Sequence, residues 1–211
     1  MVPKGLTIVF VGFMLLSVAA LTMADVPDPS MCTVEMRSYA GTGTLSLFNL
    51  PNGRGQPPVR AFVLGGGIAD AAITVTVRDG SGAPVPSVTF EDVWIECSWI
   101  SGTFAVCGGI AVSDRDTDVN GETTFRNPLL AGGWCTGPVA VFLSGDYLGD
   151  INLRFNSGDI NGDLVTNLTD GGFFTAVLFG AHSYSADFNY DGSVNITDAG
   201  YMSAGLGATC P

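Results

Sequence analysis

A single lysine, Lys4, and a single histidine, His182, occur in 211 residues. Seven arginines are the only other basic side chains, against twenty acidic residues, and the formal net charge is -12. That leaves no basic footprint, which excludes nucleic acid as a partner. The histidine stands far in sequence from every cysteine, so a histidine-activated cysteine centre is not expected. No Cys-x-x-Cys pair exists, which argues against a four-cysteine zinc site. Gly65-Gly66-Gly67 lacks the lysine and the strand-to-helix setting of a phosphate loop. Beyond the first 24 residues no apolar run approaches membrane-spanning length. From Asp25 to Asp150 no long 3.6-residue apolar stripe appears either, so long helices are not expected there.

The N-terminus is the one strongly apolar stretch. Met1-Val2-Pro3-Lys4 precedes an apolar run from Leu6 to Ala20, and Ala24 is a small residue before Asp25. This pattern predicts a secretory signal over 1–24 and hence a secreted, extracellular or cell-surface protein. An oxidising compartment makes disulfides plausible among Cys32, Cys97, Cys107, Cys135 and Cys210. Spacing leaves the pairing open. Cys97 with Cys107 would close a local hairpin, Cys32 and Cys210 would clip the two ends, and five thiols leave one over.

Short alternating runs fill the region to about 150. Candidate strands are Met31–Met36, Thr44–Phe48, Ile73–Val77, Val88–Ile95, Phe104–Val112, Thr123–Phe125, Val139–Leu143 and Ile151–Phe155. Seven or eight such strands predict a mostly β, two-layer β-sandwich. The turn-rich segment 25–60 reads either as the first strands or as an arm reaching to a neighbour. Asp114-Arg-Asp-Thr-Asp-Val-Asn120-Gly121-Glu122 reads as a tight turn with a left-handed glycine, and its alternating oxygens also admit a cation. Trp94, Trp99 and Trp134 suit either a core or a sugar-stacking face.

Near the C-terminus the chain repeats itself. Asp159-Ile-Asn161-Gly-Asp163-Leu-Val-Thr-Asn167-Leu-Thr-Asp170 recurs 28 residues later as Asp187-Phe-Asn189-Tyr-Asp191-Gly-Ser-Val-Asn195-Ile-Thr-Asp198. Oxygen side chains stand at relative positions 1, 3, 5, 9 and 12, the spacing of a calcium loop, although position 12 is Asp rather than the usual Glu. Six carboxylates and no Lys or Arg lie between 159 and 198. Without a cation these loops are expected to repel themselves open. Asn167 and Asn195 each begin an Asn-x-Thr sequon, but their positions mark them as loop residues. At position 6 the second loop has Gly192 and the first has Leu164, which predicts backbone strain and a weaker first site.

The duplicated Asp-x-Asn-x-Asp loops over about 157–206 resemble the calcium loops of type I dockerins. The strand–turn patterns around Val75–Pro86 and Asp118–Phe125 resemble bacterial immunoglobulin-like domains. The resemblance implies an immunoglobulin-like β-sandwich over 25–150 followed by a small α-helical dockerin-like domain over 151–211. It implies two Ca2+ sites. The first would use Asp159, Asn161, Asp163, the Val165 carbonyl, Asn167 and Asp170. The second would use Asp187, Asn189, Asp191, the Ser193 carbonyl, Asn195 and Asp198. Each loop would lead into a helix, with Phe173, Phe174, Val177 and Leu178 on one apolar face and Tyr201, Met202 and Leu206 on the other. In dockerins, positions 10 and 11 recognise cohesin; here these are Leu168-Thr169 and Ile196-Thr197.

Together these readings predict a secreted, non-catalytic structural or adhesion protein, stabilised by calcium and self-assembling into an extracellular polymer. The alternative is a dockerin-type module on a cohesin-like scaffold, with the β-sandwich holding a glycan or another surface partner.

Overall fold

In this computed structural model the described residues are 26–37, 43–97 and 102–211. The expected signal segment 1–24 and Trp99 lie outside them. The described strands are β1 (Thr33–Met36), β2 (Leu45–Asn49), β3 (Ala61–Val63), β4 (Gly67–Ala69), β5 (Ile73–Thr76), β6 (Val93–Cys97), β7 (Ala105–Val106), β8 (Ala111–Val112), β9 (Glu122–Phe125), β10 (Ala131–Gly132), β11 (Val139–Leu143), β12 (Asp146–Ile151) and β13 (Leu153–Ser157). Two helices follow, α1 (Leu168–Leu178) and α2 (Ile196–Gly205). The chain is thus a mostly β body followed by two C-terminal helices.

The strands form an antiparallel sheet β1-β5-β9, an antiparallel sheet β12-β11-β6-β8, a mixed sheet β13-β2-β3-β4 and a small pair β10-β7. Alternation explains why they share a core. Ile73 and Val75 of β5 and Val139, Val141 and Leu143 of β11 point inward. They meet Val93, Ile95, Phe125 and Phe155 in one apolar cluster. No helix contributes to it.

The mixed sheet is different, because both of its faces are covered. Every residue of β2 is buried. Leu45 and Leu47 face the β core, whereas Phe48 and then Leu50 join a second cluster with the helices. β3 divides the same way, with Ala61 on the β core and Phe62 on the helical side. β13 pairs with β2 in parallel, so that Leu153 and Phe155 turn inward while Arg154 lies over the Tyr184 ring. The reading of 25–60 as a reaching arm is therefore overturned across β2, which is an interior strand.

The second cluster joins Phe48, Leu50 and Phe62 to Phe174, Phe188, Tyr190 and Met202. Phe48 packs at a tilt against Phe188 at 5.3 Å and meets Tyr201 edge to face at 5.1 Å. Phe62 reaches Tyr201 at 5.9 Å. The helices thus share their apolar cluster with this sheet and do not pack only against each other. Phe173 and Leu206, expected in the apolar faces, are each 47% exposed.

Two further expectations change. The run 104–112 splits into β7 and β8, because Gly108 and Gly109 take positive φ and break the ladder. Cys97 pairs with Cys135, not with Cys107, and Cys107 pairs with Cys210. The second bond clips the C-terminus to the body, as one reading of Cys210 allowed. Cys32 carries a free thiol, which burial pushes above its ordinary pKa.

The Cys107–Cys210 bond spans a sequence separation of 103. A loop of that size is worth about 4–5 kcal/mol by the chain-entropy estimate. Cys210→Ser is expected to lower the unfolding free energy by several kcal/mol in urea titrations. A loss under about 1 kcal/mol would show that the clip adds nothing to packing.

Candidate functional site: the paired loops and helix starts

Each loop is built on one buried aspartate. Asp159 and Asp187 are almost fully buried. The Asp159 carboxylate accepts amide hydrogens from Gly162, Asp163 and Leu164 at 3.0, 3.2 and 2.8 Å. The Asp187 carboxylate accepts from Asp191 and Gly192, both at 3.0 Å. Asn161 Oδ1 takes the Asp163 amide and its Nδ2 donates to the Asp163 carboxylate at 2.8 Å. Asn189 treats Asp191 the same way. Asp163 then accepts from Val165, and Asp191 from Ser193.

The twelfth positions close the loops onto the helices. Asp170 accepts from the Asn161 and Asn167 amides at 3.1 and 2.9 Å. Asp198 accepts from Phe188 at 2.8 Å and Asn195 at 2.9 Å. Asn167 and Asn195 are the N-caps, and each forms a reciprocal capping box with its aspartate. The two loops thus share most of these bonds, with one more amide on Asp159 than on Asp187 and the Phe188 amide on Asp198 without a counterpart in the first loop.

This geometry corrects the calcium expectation. Among the described residues, no group of three or more His, Cys, Asp or Glu side chains is placed to hold a metal ion. Neither the first set, Asp159, Asn161, Asp163, Val165, Asn167 and Asp170, nor the second, Asp187, Asn189, Asp191, Ser193, Asn195 and Asp198, is such a centre. The physical reason lies in where the oxygens point. The side chains bond backbone amides of their own loop, and the short Asp at position 12 serves the capping box. The Val165 carbonyl accepts from Asn167 Nδ2 at 3.0 Å. Amide dipoles, not a cation, oppose the repulsion among the six carboxylates. The cation reading of 114–122 falls with it. Asp118 accepts from Asn120 and Glu122, Gly121 takes φ of +73°, and the segment is a turn.

Positions 4 and 6 of both loops are left-handed. The first loop uses Gly162 (φ +74°) and Leu164 (φ +66°), and the second Tyr190 (φ +54°) and Gly192 (φ +88°). The strain expected at Leu164 is present. The strain at Tyr190 was not expected. Its ring is buried against Tyr184 at 5.7 Å, which offsets the backbone cost.

The loops are seated on the body. The Gly133 amide donates to the Asp159 carbonyl at 2.6 Å, and Thr103 Oγ1 to that of Ile160 at 2.7 Å. Asn156 Nδ2 donates to the Asp187 carbonyl at 2.6 Å. A side chain at Gly132 would run into the Asp159 carboxylate, so β10 needs glycine there. His182 Nε2 stands 3.4 Å from the Asp187 carboxylate. Trp134 packs against the helical cluster and Trp94 stacks on Phe142 in the far sheet, so these two do not share a face.

The helix starts leave Leu168 and Ile196 exposed at 85% and 84%. They occupy the same position in the two repeats. Compared with protein-family models, curated proteins and solved structures, the chain matches none.

Burial pushes the Asp159 carboxyl up to about 6, and the neighbouring Asp170 and Asp163 charges add to this against its amide donors. Burial also raises Asp198. A raised carboxyl favours the folded state while protonated. Its contribution is full below the ordinary value of 3.8 and is lost as pH rises through about 6. Asp79 and Asp118 are lowered, mainly by a hydroxyl and a backbone amide respectively, and lose their contribution only below 3.8. Unfolding free energy is therefore expected to fall between about pH 4 and pH 6. Asp159→Asn should flatten that slope in denaturant titrations at several pH values. A wild-type slope of opposite sign would contradict the assignment.

Leu164→Gly removes a left-handed cost of about 1–2 kcal/mol and adds glycine's chain-entropy cost of roughly 0.5–1 kcal/mol. A net gain of up to about 1 kcal/mol is expected by thermal unfolding. A clear loss would mean that Leu164 packing outweighs the strain.

Proposed function

We propose that the protein is an exported, non-catalytic structural module that works by docking on protein. The observation that carries this is the duplicated exposure of Leu168 and Ile196. Two large apolar side chains at equivalent helix starts, more than four-fifths exposed, serve no packing within the chain. Phe179, 83% exposed at the end of α1, lies on the same helical unit. Such side chains are contact groups for a partner.

Several features support the rest of the reading. The segment 1–24 has the pattern of a secretory signal. Two disulfides suit an oxidising compartment, and no helix among the described residues is long and apolar enough to cross a membrane. The β body is read as an immunoglobulin-like sandwich and the helical pair as dockerin-like in its repeat register. The pair sits on its own body through Phe48 and Phe62, which leaves the helix starts free for contact in trans.

The partner proposed first is a further copy of the chain. A patch present twice in one molecule lets each copy engage two neighbours, which builds a polymer. The second reading is a cohesin-like scaffold, favoured because Leu168-Thr169 and Ile196-Thr197 stand where dockerins carry their recognition residues.

Light scattering over a concentration series tests this. The wild type is expected to grow in mass with concentration, and Leu168→Asp with Ile196→Asp to stay monomeric with unchanged circular dichroism. A wild type that remains monomeric throughout would sink self-assembly and leave the scaffold. Growth that the double variant shares would place the contact elsewhere.

A further inference from the structure

The outer face of the sheet β12-β11-β6-β8 carries an aromatic row that the core does not use. Register places Val112 opposite Trp94, Trp94 opposite Phe142, and Phe142 opposite Tyr147. None of these belongs to either apolar cluster. Their strand neighbours Val93, Ile95, Val141 and Leu143 all point into the core, so the row faces away from it. Trp94 and Phe142 are half-buried, and Tyr147 is 55% exposed.

A bulge makes the row continuous. Val141 pairs with Gly149, but Phe142 pairs with Tyr147, so Leu148 is the extra residue and turns toward the core. Tyr147 and Asp150 then share one face although they are an odd number of residues apart. The next row on that face runs Glu96, Ala140, Asp150. A carboxylate therefore stands near each end of the aromatic row. The Glu96 carboxylate accepts from Trp94 Nε1 at 2.8 Å, and the Asp150 carboxylate faces the Tyr147 hydroxyl.

The rings are spaced for a repeating ligand. Trp94 and Phe142 lie 5.5 Å apart with planes 12° from parallel. Ring faces touch at about 3.5–4.0 Å, so this pair is offset like roof tiles and leaves part of each face open. Phe142 and Tyr147 follow at 5.9 Å, edge to face with planes 67° apart, so Tyr147 turns its ring across the line of the other two. This is about one ring per pyranose unit of an extended sugar chain. The four strands hold no Lys or Arg, which disfavours an acidic polysaccharide. Each carboxylate is already shared with a ring donor, which weakens it as a site for a cationic peptide. A free lone pair on each still accepts from a hydroxyl.

We propose that this row is a binding strip for a neutral polysaccharide, with the rings stacking on sugar faces and Glu96 and Asp150 accepting from sugar hydroxyls. The strip stands apart from the helix-start contact and does not rest on it.

Titration calorimetry with neutral hexaoses of glucose, xylose and mannose tests the proposal, using the full exported chain. At least one hexaose is expected to bind. Trp94→Ala and Phe142→Ala should weaken it about tenfold or more, and Tyr147→Ala severalfold. Tyr147 is exposed, so its variant should keep the wild-type circular dichroism and settles the matter if the other two misfold. Leu168→Asp with Ile196→Asp should bind sugar as the wild type does. The proposal is overturned if no hexaose binds at millimolar concentration, if Tyr147→Ala leaves binding untouched, or if oligolysine binds with the same dependence on these rings.

Discussion

Phe48 and Leu47 are adjacent in one strand and lie in different cores. Leu47 packs among the β residues, and Phe48 packs on Phe188 and Tyr201 of the helical unit. The rest of the architecture follows from that covered second face. A sheet with one wet face needs polar residues there, whereas this one places Phe48 and Phe62 there and must be covered. Truncating a buried phenylalanine typically costs about 3–5 kcal/mol, comparable with what the Cys107–Cys210 clip is worth. Against a net stability of roughly 5–15 kcal/mol, either loss alone is a large fraction. The helical pair is therefore part of the fold and not an appendage, and its outward positions alone are free to act on other molecules.

The repeated loops show how one spacing supports two chemistries. Oxygens at alternate positions can turn toward a shared ion or back onto the amides of their own loop. Here they do the second, and each loop is an extended capping device for the helix that follows. The same amide-to-aspartate solution recurs at Asp79, which accepts from Ser81 and Ala83, and at Asp118. An acidic chain with few basic residues satisfies much of its negative charge with backbone dipoles. The burial of Asp159 under Gly132 is what makes that arrangement sensitive to pH in the first loop.

Much of this was legible in the residues. The helix starts after Asn167 and Asn195 were expected from the resemblance of the repeats, and the alternation of Ile73–Thr76 and Val139–Leu143 and the glycine turn at Gly121 follow from local chemistry. The left-handed strain at Leu164 also does, because the second repeat supplies glycine at the same place. Other features depend on partners distant in sequence. Nothing local in Leu153–Ser157 announces parallel pairing with β2. Ala61–Val63 and Gly67–Ala69 are too short, and too hemmed by Pro and Gly, to stand out as strands. Spacing could not tell Cys135 from Cys107 as the partner of Cys97. The aromatic row was half visible in Trp94, but its companions Phe142 and Tyr147 required the register and the bulge. The loop oxygens were expected to be calcium ligands, and geometry shows that they accept amide hydrogens of their own loops instead.

The central claim is that β2 fastens two cores into one cooperative structure. Differential scanning calorimetry of the disulfide-intact chain tests it most directly. One transition with equal calorimetric and van't Hoff enthalpies is the predicted result, and Phe48→Ala should lower its midpoint without dividing it. Two separable transitions in the wild type, one for the β body and one for the helical unit, would contradict the account.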